Sequence, residues 1–161
     1  MKNVSRRRWI YALLCVAMMG VIFYFSAMTA PESSKVSGRV TKVAVQLTYP
    51  EYTALPKPQQ TGVYQLMQHL VRKSAHFGEY ALLGALITLF LSTFSLRFRG
   101  LIALAACVLY AIGDEVHQGF VAGRAPMAAD VLIDSAGAAA GILLATLVLY
   151  WVTHHRPGLK E

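Results

Sequence analysis

Three stretches of this sequence set side chains that bind anions, hold cations or move protons at helical spacing. In "VRKSAHFGEY", residues 71–80, Arg72, His76, Glu79 and Tyr80 recur at steps of three and four, so on a helix they share a face, with Lys73 beside them. "GDEVHQ" groups Asp114, Glu115 and Gln118 in the same way, and "GRAPMAADVLID" adds Arg124, Asp130 and Asp134. Five of the chain's eight acidic residues belong to this group, opposed by Arg72, Lys73 and Arg124; with neutral histidines, three minus five leaves a local charge of minus two. Guanidinium and ammonium groups suit phosphate or carboxylate, whereas a carboxylate beside an imidazole suits general acid/base work. His76, Glu79, Asp114 and Glu115 are therefore the catalytic candidates. The candidate ligand-binding set is Arg72, Lys73, His76, Glu79, Tyr80, Asp114, Glu115, Gln118, Arg124, Asp130 and Asp134.

Other chemistries have weaker signals. His76 with Glu79 has the i, i+3 spacing of ligand pairs in helix bundles, and Asp130 with Asp134 offers oxygen donors. No complete pattern such as a paired-histidine zinc motif is present, so no metal ligands and no cofactor are assigned; a divalent cation stays open as one way to compensate the acids. Ser74, Ser135 and Tyr80 are near, without a nucleophile elbow. Ser135 reads better with Gly137 and Gly141 as the small-residue stripe "SAGAAAG", which lets helices approach closely. His117 reads as an interfacial imidazole. Salt bridging explains any single pair, such as Lys73 with Glu79, but the whole constellation is costly in a membrane and marks a functional site.

The elements that must position these residues are membrane helices. Of 161 residues 56% are hydrophobic and 14% charged, too apolar for an ordinary soluble domain. Four runs approach the roughly 20 apolar residues that a bilayer-spanning helix needs: 9–28, 75–94, 101–120 and 131–152. The first follows the basic head Lys2, Arg6, Arg7 and Arg8, but it exceeds the apolar core of a signal peptide and is expected to stay as an anchor. The expected architecture is an all-α bundle of four transmembrane helices in a single domain, 1–161, with both termini cytoplasmic. Trp9 and Trp151 then lie at the inner interface, and Arg97 and Arg99 in the inner loop. Arg72 and Lys73 go against this charge rule at the outer mouth of the second span.

The outer segment, 30–71, contains "SSKVSGRVTKVAVQL", in which Val36, Val40, Val43 and Leu47 recur at helical spacing with Lys35, Arg39 and Lys42 on other faces. This is an amphipathic helix, either on the membrane surface or packed on the protein. "YPEYTALPKPQQTG" is expected to be a loop, followed by an amphipathic stretch, 63–71, feeding the second span. Counting crossings puts the charged ends of spans two, three and four on one side, with Glu79 and Asp134 roughly 6 Å inside their spans and Asp114 about 9 Å. The net charge of +7 has no nucleic-acid module to accompany it, and anionic lipid is the expected partner. Cys15 and Cys107 lie inside apolar runs and read as small hydrophobes, not as a disulfide.

Taken in order, "RKSAHFGEYALLG", "YAIGDEVHQGFVAGRAP" and "ADVLIDSAGAAAG" resemble the signature of the VanZ-like family, and "FSAMTAPESS" resembles a short polar segment that follows the family's first span. That segment departs from the more serine- and glycine-rich family form. The resemblance implies a multi-pass protein of the bacterial cytoplasmic membrane and a connection to reduced susceptibility to teicoplanin, a glycopeptide antibiotic. It carries no reaction with it. The expected function is an outward-facing polar cleft that binds an anionic lipid or a lipid-linked cell-wall component. The alternatives are a membrane-embedded enzyme acting on a lipid-linked substrate and a small transporter or flippase. No oligomeric state is assigned.

Overall fold

Long apolar runs free of interior proline leave the backbone nothing to bond in lipid but itself, and they fold as helices. The computed structural model describes residues 2–155, with side chains from Val4 onward. The outermost ends of the expected 1–161 domain and the side chain of Lys2 in the basic head lie outside the described part. The helices are α1 Lys2–Ser26, α2 Ala30–Thr48, α3 Lys57–Leu91, α4 Arg99–Gln118 and α5 Ala128–His155, with one 3-10 turn, Tyr52–Ala54. No strand occurs among the described residues. Four of the five helices, all but α2, are long and apolar enough to cross a membrane. Their outer faces carry exposed large apolar side chains such as Leu13, Leu109, Leu132 and Leu144, as a surface solvated by lipid requires.

The spans appear where expected, with one difference of consequence. The helix that carries the second span starts well before residue 75, at Lys57, and α3 runs 35 residues without a break. At the helical rise that is about 52 Å, well beyond a bilayer core of about 30 Å. Pro58 in the first turn is tolerated because that turn's N–H groups have no helical partner. Most of the expected outer loop is therefore helix. α2 and the first half of α3 form a hairpin, closed at its tip where Gln60 Nε2 donates to the Leu55 carbonyl at 2.7 Å.

In the hairpin α2 packs on α3. The face that packs is the small and polar one: Thr41 and Val45 are buried, Gln68 Nε2 donates to the Ser34 carbonyl at 3.1 Å, and Gly38 makes room for the Tyr64 hydroxyl. The apolar stripe Val36, Val40, Val43 and Leu47 stays exposed.

In the bundle, α3 and α5 pack backbone to backbone. A Cβ at Gly84 would sit 2.6 Å from the Ala138 carbonyl, and one at Gly137 or Gly141 would collide with the carbonyls of Phe77 and Ala81. This is the small-residue stripe read from the sequence, and glycine is required there because two backbones occupy the space of side chains. Facing pairs rise together along both helices, so α3 and α5 run parallel. α1 and α4 run opposite to them: the Tyr110 hydroxyl donates to the Met19 carbonyl at 2.7 Å and Phe23 stacks on His117 at 4.7 Å. Ile22, Tyr80, Leu83, Cys107, Ala111 and Ala138 form the core between them. Cys15 and Cys107 are both buried free thiols.

Candidate functional site

Up-and-down packing brings together the end of α1, the middle of α3, the end of α4 and the start of α5. The opposite end carries Arg8, whose Nη2 donates to the Thr93 carbonyl at 2.7 Å while its guanidinium lies over Phe94. The loop 119–127, which joins α4 to α5, closes the polar end. It turns through Gly123, at φ 75°, a left-handed conformation that favours glycine.

Several expected site residues fasten this loop. Arg124 donates through Nε to the Met28 carbonyl at 3.2 Å, through Nη2 to the Phe25 carbonyl at 3.3 Å, and through Nη1 to Gln118 Oε1 at 3.3 Å. Carbonyls at and just past the end of α1 carry partial negative charge, so a cation caps them well. Burial lowers the pKa of Arg124, as does the nearby Arg72, against the opposing influence of Asp114 and Glu115; a guanidinium stays charged regardless. Three of its five N–H groups are engaged, and two are left for a ligand. The Glu115 carboxylate accepts the Met127 N–H at 2.5 Å and pins the loop to α4. Lys73 pairs with Asp130 and ties α3 to α5.

Deeper in, the groups are more buried and less satisfied. Asp134 is 1% exposed, Asp114 6% and Tyr80 0%. His76 Nδ1 lies 3.7 Å from Asp134 Oδ1. Gln118 Nε2 donates to Asp114 Oδ2 at 3.2 Å, which leaves the other carboxylate oxygen free. His76 Nδ1, the Tyr80 hydroxyl, Asp114 Oδ1 and Asp134 Oδ1 are buried polar atoms without a hydrogen-bond partner among the described residues. Native interiors leave few such atoms, and these are gathered at one depth.

Beside this layer lies a cavity of about 550 Å³ between α1, α2 and α3. Phe25, Met28, Val36, Val40, Met67 and Leu70 make its wall apolar, and Arg72, His76, Glu79 and Arg124 line its polar part. Neither Arg72 nor Glu79 has an ion-pair partner among the described residues. A smaller polar cavity of about 190 Å³, bounded by His69, Arg72, Lys73, Gln118 and Asp130, adjoins it on the loop side.

The structure thus gathers all eleven sequence-derived residues at one end of the bundle but divides their surroundings. Arg72, His76 and Arg124 border both cavities, Glu79 the large one, Lys73, Gln118 and Asp130 the small one, and Tyr80, Asp114, Glu115 and Asp134 are buried between helices. The carboxylate neighbours of His76 come from α4 and α5, whereas the sequence paired it with Glu79 on its own helix. His69, one turn before Arg72 and Lys73, was missed, although its spacing to them is the same signal. The apolar wall was missed as well, because nothing in residue type separates a cavity-lining Met67 from any other apolar side chain.

A family model described as VanZ/LLP1 matches residues 10–149, nearly the whole described chain. No curated protein and no solved structure gives a significant match.

Proposed function

The chain belongs to the VanZ/LLP1 family, and from that membership and the form of its cavity we propose that it holds an anionic amphiphile, a membrane lipid or a lipid-linked cell-wall component, in the cavity between α1, α2 and α3. One observation carries the reading: a single cavity joins an apolar wall to two guanidinium groups, Arg72 and Arg124. An acyl or prenyl chain buries apolar area along Phe25, Val36, Met67 and Leu70, while its phosphate or carboxylate takes charge-assisted hydrogen bonds from the arginines. The hairpin continues both walls of the cavity away from the bundle, which suits a ligand longer than the site. The polar end faces outward in this reading. Basic residues support it, because Arg8, Arg97 and Arg99 mark the opposite end as cytoplasmic. Retaining or altering an envelope component at the outer face would lower binding of a lipid-bearing glycopeptide, which connects the site to reduced teicoplanin susceptibility.

The test is lipid retention. Full-length protein in nanodiscs is exposed to a polyprenyl phosphate or phosphatidylglycerol, with phosphatidylcholine as the neutral comparison, and bound lipid is counted by native mass spectrometry. Arg72→Gln, which orphans no protein partner, is expected to weaken retention of the anionic lipids by about tenfold, the value of one lost charge-assisted contact. Equal retention of neutral and anionic lipids by the wild type, or no change in Arg72→Gln, would overturn the proposal.

A second reading, turnover of the bound lipid, is favoured by Glu79 and His76, which line the cavity beside the arginines. Release of inorganic phosphate or a soluble head group from those lipids, abolished in Glu79→Gln, would mark an enzyme.

A further inference from the structure

The three-helix cluster below the cavity has a composition that lipid binding does not require. His76 from α3, Asp114 from α4 and Asp134 from α5 each offer one donor atom, and these atoms lie within 4.8 Å of one another. Two of the three residues are more than nine-tenths buried, with Asp114 Oδ1 and Asp134 Oδ1 unpartnered. The local cations do not relieve them: Lys73 is paired with Asp130, and the Arg124 hydrogen bonds go to Gln118, Met28 and Phe25. Two buried carboxyl groups with unpartnered oxygens, facing one imidazole whose Nδ1 is also unpartnered, are a costly arrangement in a low-dielectric bundle.

The geometry points to a divalent-metal site at which His76, Asp114 and Asp134 are the protein ligands. At ligand bonds of about 2.0–2.2 Å, donors on neighbouring coordination positions sit roughly 3–3.6 Å apart, so inward side-chain rotations of about 1 Å close the set. One imidazole and two carboxylates, without a thiolate, suit Zn²⁺ or Mn²⁺. Gln118, which donates to Asp114 Oδ2, orients that ligand from outside. Three protein ligands leave coordination positions open, and His76 also lines the cavity, so the ion stands at its polar part. There it meets water or, if the cavity holds the anionic amphiphile proposed above, the phosphate of that occupant. Only this last step rests on the lipid reading.

Metal content and metal-dependent stability test the site without any activity assay. Full-length protein purified without chelator is expected to carry about one equivalent of zinc or manganese by inductively coupled plasma mass spectrometry. After stripping with EDTA, its thermal unfolding temperature should rise on adding ZnCl₂ or MnCl₂. Asp134→Asn is expected to lose at least about tenfold in metal affinity, whereas Glu79→Gln, which removes a nearby acid outside the ligand set, keeps its metal. If Asp134→Asn does not fold, the titration of the stripped wild type decides alone. Wild-type protein with no bound metal and no shift with either ion would overturn the proposal and leave protonated carboxyls as the resolution of the cluster. Equal metal loss in Glu79→Gln would overturn the assigned ligand set. Neither result bears on Arg72 and lipid retention, so the two proposals fail independently.

Discussion

At the scale of single residues, the charged groups at the polar end divide into those that hold the protein and those left over. Glu115 is 6% exposed and accepts the Met127 N–H, so its carboxylate is a fastener for the loop. Glu115→Ala is expected to lower stability by about 1–3 kcal/mol, because the loop loses a charge-assisted hydrogen bond, with Glu115→Gln costing less; chemical unfolding in detergent would measure both. This division was only partly legible in the sequence. Helical spacing found Arg72, His76, Glu79 and Tyr80 as one face. No spacing within a helix could show that His76 meets Asp114 and Asp134, since three different helices bring them, nor that Arg124 spends three donors on α1 and Gln118.

At the scale of elements, the site depends on how closely α3 approaches α5. Gly141 lies against the Ala81 carbonyl, four residues along α3 from Phe77, whose carbonyl lies against Gly137 and whose chain neighbour is His76. Gly141→Val is expected to cost about 1–3 kcal/mol or more by overpacking and to spread His76 from Asp134; thermal unfolding of the purified variant reads the first effect. This contact was legible as "SAGAAAG", although not its partner helix. The start of α2 is a second device. Glu32 Oε2 accepts the Thr29 N–H at 2.9 Å and the Thr29 hydroxyl at 2.7 Å, and these bonds lower its pKa below the ordinary 4.5. A carboxylate with a depressed folded-state pKa stabilises fully above its unfolded value and loses that contribution as pH falls through the folded one. The amide protection factor at the start of α2 is therefore expected to fall only as pH drops below about 4.5, and to be pH-independent across that window in Glu32→Gln.

At the scale of the whole molecule, the four spans were legible because hydrophobic length is a strong signal, and both arms of the hairpin were read as amphipathic stretches, but the point where α3 starts was not. The first half of α3 holds few apolar residues, and the prolines and glycine of "YPEYTALPKPQQTG" read as a loop extending past the point where the helix starts at Lys57. Tip and basic ends lie at opposite poles, so orientation can be checked directly. A single cysteine introduced at Tyr52 should react with a membrane-impermeant maleimide in intact cells, and one at Arg97 only after lysis. The native thiols, both buried, give little background. The continuity of α3 has a mechanical consequence. From Lys57 to Leu91 it has no proline in its interior and no break, and it is clamped to α5 by backbone contact at Phe77, Ala81 and Gly84. The first half of α3 is thus a lever arm about 30 Å long, counted from Lys57 to the polar layer at His76 by the helical rise, with its fulcrum at the glycines of α5. A load applied to the tip turns Arg72 with it, because no hinge in between absorbs the torque.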